Sequence, residues 1–399
     1  MPIAFDMVVT PVLNRGKVQP KRCRRSGQAP WFCAMTKSQI TNVAALIFGL
    51  VFLAVNGGNF IHGYNDFAGL YIGGVQVGTP DLYSFAANQK LVFSTLGVSI
   101  AGVGFVRPPF YAAALKVFGV LSYPVAYWLF IALAVVALVW FVWRFSERCP
   151  ELPVYAAMSP SVVGAIANGQ DITFFLAALA VFVLLSHSGR DFLGGLALSL
   201  CLVKFHLFPL IPVLLLMKGR WKVVAGGVTG ALGLVTFGAA VAGPHAYVEW
   251  IQMLRNPVVS PVVTMTNLHV LVEALGGGGA MDLAFGMTLA ASFAWMCWKS
   301  DDFEFLFGMA LLGGLLINVH SYVWDNVLLL LSFVLITNAW VRTSLFVLLS
   351  PVSLFLLFWA PTTIFYVLVM LCVWAAGCFT VWKVAYGRHQ QMPLAAVTA

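Results

Sequence analysis

The chain has 399 residues, of which 61% are hydrophobic and only 9% charged, and its mean hydropathy is +0.92. A soluble domain carries about 25% charged residues, so the composition excludes a soluble globular enzyme. Apolar stretches of about 15–25 residues, separated by short polar segments, indicate a polytopic helical membrane protein. Cytoplasmic loops rich in Lys and Arg account for the formal charge of +8 better than nucleic acid binding does. The seven cysteines show no spacing typical of zinc sites.

The N-terminal 36 residues are basic and irregular, and we expect residues 1–36 to form a disordered cytoplasmic tail. The first apolar run, residues 43–55, is followed by Asn56-Gly57-Gly58 instead of the small residues of a signal-peptide cleavage site. It therefore predicts an uncleaved first helix that enters the membrane from the cytoplasm. Met35 is an alternative start of translation, in which case the tail is not part of the protein.

The hydropathy pattern predicts an all-α protein with about twelve transmembrane helices. They are expected at residues 39–56, 108–122, 124–143, 171–186, 192–205, 207–217, 223–242, 279–297, 303–317, 323–338, 343–360 and 363–382. These helices form one transmembrane domain, residues 37–385, and residues 386–399 form a second cytoplasmic tail.

If these helices cross the membrane in alternating directions, each loop is assigned to one side. The distribution of positive charges tests this topology. Sixteen Lys and Arg residues then lie in the cytoplasm and six outside, among them Arg144 and Arg148, in agreement with the positive-inside rule. The long loops, residues 57–107, 144–170 and 243–278, all lie outside, and the first of them is expected to hold helices on the membrane surface. We therefore expect a multi-pass plasma (inner) membrane protein with cytoplasmic termini and an active site on the outer, periplasmic face.

Polar residues near the outer ends of the helices are the first candidates for function, because ionisable groups at membrane depth are costly. Asp66 lies in the first outer loop, between aromatic residues and glycines. It is either a functional carboxylate or the N-cap of a short helix that begins at Phe67, and the sequence favours neither. Arg107 precedes Pro108-Pro109, which fit the first turn of a helix. It is either an interfacial anchor or a cation that faces a phosphate.

Two further polar segments interrupt apolar sequence. Asn168-Gly169-Gln170-Asp171 lies at the outer start of a predicted helix, where its side chains either bind an anionic or hydroxyl-rich ligand or cap the helix. Capping is the favoured interpretation for Asp171. Lys204 and His206 interrupt an apolar stretch, and a lysine there must reach water, pair with an acidic residue or face a wet cavity. We favour a functional role for Lys204.

Three histidines, His206, His269 and His320, map to the same outer edge in this topology, and Tyr322 follows the last of them. A single histidine is more often structural than functional, so the argument rests on their convergence. The sequence contains no Asp-x-Asp pair, P-loop, nucleophile elbow or dinucleotide-binding glycine motif. The carboxylates are not clustered as a divalent metal requires, so we predict neither a metal site nor a cofactor.

One carboxylate surrounded by cations and amides suits the transfer of a sugar from a lipid-phosphate donor. Asp66 would accept the proton of the acceptor hydroxyl, and cations would stabilise the charge that develops on the departing phosphate. A polyprenyl-phosphate donor explains why the enzyme is a membrane protein, since its tail stays in the bilayer while its head reaches the outer face. Single displacement with one base inverts the anomeric configuration.

Several short motifs occur in a characteristic order. They are Asp66-Phe67 before Tyr71-x-Gly73, Pro108-Pro109-Phe110-Tyr111, Asn168-Gly169-Gln170, Lys204 with His206, Asn267-Leu268-His269, and His320-x-Tyr322 with Asp325. In this order the chain resembles glycosyltransferase family 87, the polyprenyl-phosphate-mannose-dependent mannosyltransferase-like enzymes of the GT-C fold. The resemblance covers residues 40–385, and it departs at Phe205, where the family usually has proline.

The resemblance implies a GT-C-type transmembrane catalytic domain and inverting hexose transfer, with mannose the family's most familiar donor sugar. It implies Asp66 as the catalytic base. The substrate-binding candidates are Arg107, Asn168, Gln170, Lys204, His206, His269, His320 and Tyr322. The expected partners are a polyprenyl-phosphate sugar donor, a glycolipid or glycan acceptor, and the bilayer, with no nucleic acid.

The alternative interpretation is a transporter or flippase of lipid-linked sugars, which would use the same cations to hold phosphate. It is less favoured because no internal repeat is evident, and because the polar residues map to one edge of the membrane instead of its midplane.

Overall fold

The computed structural model describes residues 65–97, 104–255, 265–318, 320–353, 356 and 363–390, and these are almost entirely helical. No β-strand occurs among them, although Met265 and Tyr322 form an isolated antiparallel bridge. The predicted tail 1–36, the predicted first helix 39–56 and most of the predicted tail 386–399 lie outside the described residues.

The helices follow one another with short connections. In chain order they are α1 (Phe67–Gln76), α2 (Phe85–Leu96), α3 (Pro109–Gly119), α4 (Tyr123–Phe145), α5 (Leu152–Met158), α6 (Pro160–Ala167), α7 (Ile172–His187), α8 (Asp191–Ser199), α9 (Leu210–Met217), α10 (Trp221–Ala242), α11 (His245–Arg255), α12 (Leu268–Ala274), α13 (Gly279–Lys299), α14 (Phe303–Ile317), α15 (Leu329–Leu335), α16 (Ala339–Leu349) and α17 (Ile364–Gln390). The 3-10 helix Leu200–Leu207 follows α8, and the 3-10 helix Val323–Leu328 precedes α15.

Four of these helices, α4, α10, α13 and α17, are long and apolar enough to cross a membrane. Helices α6 and α7 are together long and apolar enough to cross a membrane, but the chain bends by 119° at the break between them. The pair is therefore a broken span or a re-entrant loop. Within the described residues this is fewer than the twelve or so spans predicted from hydropathy. The difference arises because several of the predicted spans are short helices, some of them joined to 3-10 segments.

The predicted span at residues 108–122 is the clearest case. It corresponds to α3, which has 11 residues and therefore a length of about 16 Å, roughly half the hydrocarbon thickness of a bilayer. This helix packs against α1 so closely that a Cβ on Gly74 would lie 2.4 Å from the carbonyl oxygen of Leu115. The prediction of a transmembrane helix at 108–122 is therefore wrong, because α3 is too short to cross the bilayer; one side of it packs against protein, while Val117 and Val120 are exposed.

The two ends of the helical assembly carry different polar groups. At one end α4 begins beside Asn65, whose Oδ1 accepts a hydrogen bond from the Tyr123 hydroxyl at 2.8 Å. At the other end α4 is followed by Arg148, whose guanidinium lies 3.1 Å from Glu304 at the start of α14. His187, at the end of α7, pairs with the same glutamate.

The side assigned to Arg144 and Arg148 must be corrected accordingly. Hydropathy predicted that loop 144–170 shares the side of Asp66, but Arg148 lies at the opposite end, and Arg144 lines a cavity there with His187. The short α3 explains the error, since a helix that does not cross the membrane reverses the side assigned to the next segments. From this opposite end, α5 and α6 lead the chain back to the end that carries Asp66.

A close helix crossing positions the segment that contains Lys204. A Cβ on Gly195 of α8 would lie 2.1 Å from the carbonyl oxygen of Val223, and one on Gly226 of α10 would lie 2.0 Å from that of Phe192. Glycines at such positions let membrane helices approach to backbone contact. Since α8 leads directly into the 3-10 helix Leu200–Leu207, this crossing fixes where that helix begins.

Candidate active site

Asp66 immediately precedes α1, and two side-chain amides bind its carboxylate. Asn168 Nδ2 donates to Asp66 Oδ2 at 2.6 Å, and Gln170 Nε2 donates to the same oxygen. The backbone N–H of Asp66 also donates to the carbonyl oxygen of Asn168 at 3.0 Å. Among the described residues Oδ1 has no hydrogen-bond partner, and the residue is partly exposed. One carboxylate oxygen is thus held in place while the other is left for a ligand.

The helix-capping role belongs to Asn65 and not to Asp66. Asn65 Oδ1 accepts hydrogen bonds from the backbone N–H of Ala68 at 3.0 Å and from the hydroxyl of Tyr123 at 2.8 Å. Asp66 makes no side-chain capping bond. Of the two interpretations that the sequence left open for Asp66, the capping one is therefore wrong.

Phe67 holds the start of α1 against the break between α6 and α7. Its buried ring lies 5.8 Å from that of Tyr127, whose hydroxyl donates to the carbonyl oxygen of Ala167 at 2.7 Å. Gly169, in the break itself, has a φ of +66°, and a Cβ there would lie 2.5 Å from the Cβ of Phe67. Only glycine fits both conditions, and the contact sets the distance between Asp66 and its two amides.

Lys204 is only 3% exposed, and three acceptor oxygens surround its ammonium nitrogen. The distances from Nζ are 3.1 Å to Gln170 Oε1, 2.8 Å to Asp325 Oδ1 and 3.1 Å to Asp171 Oδ1. The contacts with Gln170 and Asp325 are hydrogen bonds, and the contact with Asp171 is an ion pair. Gln170 therefore connects Lys204 to Asp66, because its oxygen faces the lysine while its nitrogen donates to the carboxylate.

Asp171 is fully buried between two cations. Its Oδ2 lies 3.3 Å from Arg107 Nε, and its Oδ1 lies 3.1 Å from Lys204 Nζ. Asp171 makes no capping bond to α7, so the capping role favoured from the sequence is wrong. The Arg107 side chain keeps 16% of its surface exposed, which leaves part of the guanidinium accessible.

The backbone kinks at Lys204, which has φ −121° and ψ 45° within the 3-10 helix. A proline at the next position would disfavour helical backbone at this residue, but the chain has Phe205 there and the kink is present without it. The Phe205 side chain is 48% exposed, and its ring stands nearly perpendicular to that of Trp250, with centroids 6.3 Å apart. The departure from the family pattern therefore leaves Lys204 directed at its two aspartates.

The three predicted histidines lie in different surroundings. Burial, and next the positive charge of Arg107, lowers the pKa of His206 to about 3, so this imidazole is neutral at pH 7. His320 is exposed, and its backbone N–H donates to the side chain of Asn318 at 3.0 Å. His269 lies on α12, with its Nδ1 2.8 Å from Asp282 Oδ2 of α13. His320 still affects the pKa of His206, and His269 that of His320, so the three histidines lie within electrostatic range of one another although their partners differ.

The electrostatic environment of Asp66 favours a base stronger than an ordinary aspartate. Burial raises the pKa of its carboxyl above the usual value, although the hydrogen bond from Gln170 and the charges of Lys204 and Arg107 oppose the rise. The negative charge of Asp171 adds to it. A carboxylate whose pKa is raised in this way accepts a proton more readily.

The structure joins Asp66, Arg107, Asn168, Gln170 and Lys204 in one network. Tyr322 reaches it through its backbone N–H, which donates to Asp325 Oδ2 at 3.0 Å. Within the described residues no group of three or more His, Cys, Asp or Glu side chains could hold a metal ion.

Sequence reasoning did not place two members of this network in the site, Asp171 and Asp325. The signal that points to them is the buried Lys204, since a lysine removed from water requires carboxylate partners. The sequence offers several acidic residues for that role, and Asp325 is 121 positions away from the lysine.

A family model for glycosyltransferase family 87 matches residues 105–323, which is more than half of the chain. No curated protein and no solved structure gives a match. The matched region includes Arg107, Gln170 and Lys204, whereas Asp66 and Asp325 lie outside it and contact residues within it. The chain belongs to glycosyltransferase family 87, and it is accordingly a membrane glycosyltransferase.

Proposed function

We propose that this enzyme transfers a hexose, with mannose the first candidate, from a polyprenyl-phosphate sugar to a hydroxyl group of a glycolipid or glycan. The proposal rests on the hydrogen bonding of the Asp66 carboxylate. Its Oδ2 accepts two amide hydrogen bonds, its Oδ1 has no partner among the described residues, and Gln170 links it to the buried Lys204. A carboxylate held in one orientation with one oxygen unoccupied is suited to act as a general base.

In the proposed reaction the acceptor hydroxyl oxygen attacks the anomeric carbon of the donor sugar while its proton passes to Asp66. The bond between the anomeric carbon and the phosphate oxygen breaks, and polyprenyl phosphate leaves with the electron pair. One displacement inverts the configuration, so a β-linked sugar phosphate gives an α-linked product. No second carboxylate is needed, because no covalent glycosyl-enzyme intermediate forms.

The cations of the site take different parts in this reaction. We assign Lys204 a positioning role, because it is buried and its ammonium group already bonds Gln170 and Asp325 and pairs with Asp171. Arg107 uses Nε toward Asp171 and is partly exposed, so we assign its remaining N–H groups to the phosphate of the donor. Since His206 is neutral, it contributes hydrogen bonds and no positive charge.

We also propose a GT-C architecture whose catalytic end faces the outside of the plasma membrane. Arg144 and Arg148 lie at the end opposite to Asp66, which adds positive charge to that end. An excess of Lys and Arg marks the cytoplasmic side of a membrane protein. This distribution supports an outward-facing Asp66. No feature of the described residues favours the transporter alternative.

The test compares wild type with Asp66→Asn in nanodiscs that contain radiolabelled polyprenyl-phosphate mannose and a lipid extract of the host. Asp81→Asn is the matched control, since it makes the same chemical change at an exposed aspartate near Asp66 in the chain. We expect label transfer by wild type and by the control, and transfer by Asp66→Asn lower by about 10²–10⁴-fold. Equal transfer by Asp66→Asn would exclude the proposed base. Failure of wild type with every polyprenyl-phosphate hexose would exclude the proposed donor class.

A further inference from the structure

A second feature of the molecule lies beside the segment that carries Arg107. A cavity of about 400 Å³ lies between α2 and α11 and includes residues 104–106 in its wall. Its volume falls within the usual range for small-ligand sites. The lining residues that matter for its chemistry are Tyr83, Phe85, Asn88, Phe105, Glu249 and Gln252.

One segment of the chain joins the wall of this cavity to the candidate active site. The hydroxyl of Tyr83 donates to the carbonyl oxygen of Arg107 at 2.8 Å, and Trp250 Nε1 donates to that of Val106 at 3.2 Å. Val106 lines the cavity, and the next residue, Arg107, pairs with Asp171 in the network described above. A ligand in the cavity would therefore contact the residue that precedes Arg107 in the chain.

The hydrogen bonding of Asn88 indicates that the cavity binds a ligand with hydrogen-bond donors. It is 2% exposed and lines the cavity. Its Nδ2 donates to the carbonyl oxygen of Leu82 at 3.3 Å, which fixes the orientation of the amide. Its Oδ1 is buried and has no hydrogen-bond partner among the described residues. A buried acceptor without a partner is unfavourable, and a hydroxyl group bound in the cavity would satisfy it.

The remaining lining residues combine acceptors with aromatic surface. Phe85 is 43% exposed, and the rings of Tyr83 and Phe105 lie 5.9 Å apart. Glu249 and Gln252 add polar groups from α11. A sugar ring has C–H faces that pack on aromatic rings and hydroxyl groups that donate to acceptors such as Asn88. A hydrocarbon chain would leave the Asn88 oxygen unsatisfied.

We propose that this cavity binds a hexose ring of the acceptor, with Asn88 Oδ1 and Glu249 accepting hydrogen bonds from its hydroxyl groups and Phe85 packing on its ring. The inference rests on the proposed function, since it assigns a subsite to the second substrate of that reaction. It places the sugar portion of that acceptor between α2 and α11.

The test fills the cavity from its exposed side. Gln252→Trp places a large side chain in the cavity from an exposed position of α11. Leu254→Trp is the matched control, because Leu254 is also exposed on α11 and does not line the cavity. Binding of methyl α-mannopyranoside and methyl α-glucopyranoside is measured by saturation-transfer NMR, which requires no turnover. Transfer kinetics with the labelled donor and the host lipid extract give the KM for each substrate.

We expect wild type and Leu254→Trp to bind a methyl hexoside and Gln252→Trp to lose that signal. In transfer assays Gln252→Trp should raise the KM for the acceptor by about tenfold or more and leave the KM for the donor unchanged. Absence of a sugar signal in wild type, or an equal signal in Gln252→Trp, would overturn the proposed subsite. A rise in the donor KM alone would overturn it as well, since the cavity would then hold the donor. Sugar binding that Gln252→Trp removes, without transfer by wild type, would support the subsite and refute the proposed reaction.

Discussion

Replacing Lys204 by methionine tests whether the buried charges of the site are balanced as the structure indicates. Lys204→Met keeps a long side chain but removes the ammonium group that lies 2.8 Å from Asp325 and 3.1 Å from Asp171. Arg107 still lies 3.3 Å from Asp171, so Asp325 is the carboxylate left without a cation. Removing one partner of a buried ion pair costs about 3–5 kcal/mol. We expect the free energy of unfolding to fall by an amount of this order.

A second substitution makes this prediction specific to the pair. Asp325→Asn, added to Lys204→Met, removes the uncompensated charge while preserving the shape of the side chain. The double variant is therefore expected to regain about 1–3 kcal/mol relative to Lys204→Met, the usual range of coupling between residues in contact. It is expected to stay inactive, because Gln170 still lacks the ammonium group that orients it toward Asp66.

The assay is thermal unfolding of the purified variants in one detergent at one scan rate, since membrane proteins often unfold irreversibly. Lys204→Met should lower the apparent Tm by about 5 °C or more, and the double variant should recover part of that loss. Lys222→Met is the control, because Lys222 is exposed at the start of α10 and its loss should leave Tm nearly unchanged. A double variant no more stable than Lys204→Met would refute the pairing of Lys204 with Asp325.

Three further predictions concern the surroundings of Asp66. Because burial raises the pKa of this carboxyl and the base works only when ionised, a pH profile of kcat/KM should fall toward acid with a midpoint above about 3.9, the ordinary aspartate value. Gln170→Met should move that midpoint higher, since its hydrogen bond favours the charged form, and a midpoint at or below 3.9 in wild type would contradict the assignment. Gly169→Ala should reduce transfer at least about tenfold through strain and contact at φ +66°, whereas Gly189→Ala, with φ +72° and no atom within 4 Å of its Cβ, should leave transfer near wild type. Asn65→Ala should lower the stability by about 0.5–2 kcal/mol in thermal unfolding, as expected for the loss of an N-cap, and no loss would show that Asn65 does not cap α1.

Hydropathy predicted the bounds of some helices accurately. For others it identified an apolar segment but gave the wrong helix length. The helix expected at 303–317 is Phe303–Ile317, and Asp302 caps it by accepting from the N–H of Phe305 at 3.0 Å. A long apolar run with a capping residue contains all the local information that such a helix needs. The segment 108–122 is also apolar, but its helix has only 11 residues and is too short to cross a bilayer. Hydropathy measures apolarity and does not show where a helix within an apolar segment ends.

The loops expected to lie outside contain helices that hydropathy did not predict. Loop 144–170 contains α5 and α6, of seven and eight residues, and loop 243–278 contains α11 and α12. Each is too short or too polar to stand out in a search for membrane spans. Helices this short are stabilised by tertiary contacts more than by their own propensity. The contact of Gly164 in α6 with Trp324 is such an interaction, and it joins residues far apart in the chain.

The sequence identified Asp66, Arg107 and Lys204 as candidates but not the two aspartates that pair with Lys204. It identified Lys204 as requiring compensation, and it left two roles open for Asp66. The choice between capping and chemistry depended on which of two neighbouring residues, Asn65 or Asp66, turns its side chain toward the N–H of Ala68. Propensity scales rank Asn and Asp nearly equally as caps, so only the three-dimensional arrangement separates them.

The residues of the site share one structural property, since each lies where a helix is interrupted or begins. Asn168 and Gln170 lie in the break between α6 and α7, Lys204 at the kink of a 3-10 helix, and Asp325 in the 3-10 helix before α15. Interrupted backbone within a membrane protein is tolerated where it is covered by protein or lines a polar cavity, because its N–H and C=O groups need partners. The backbone N–H of Asp66 donates to the carbonyl oxygen of Asn168 and so joins the start of α1 to the break between α6 and α7. Side-chain hydrogen bonds from Lys204 to Gln170 and from Gln170 to Asp66 connect the 3-10 helix to the same point. The same arrangement that places polar groups in an apolar fold thus brings together the groups to which we assign sugar transfer.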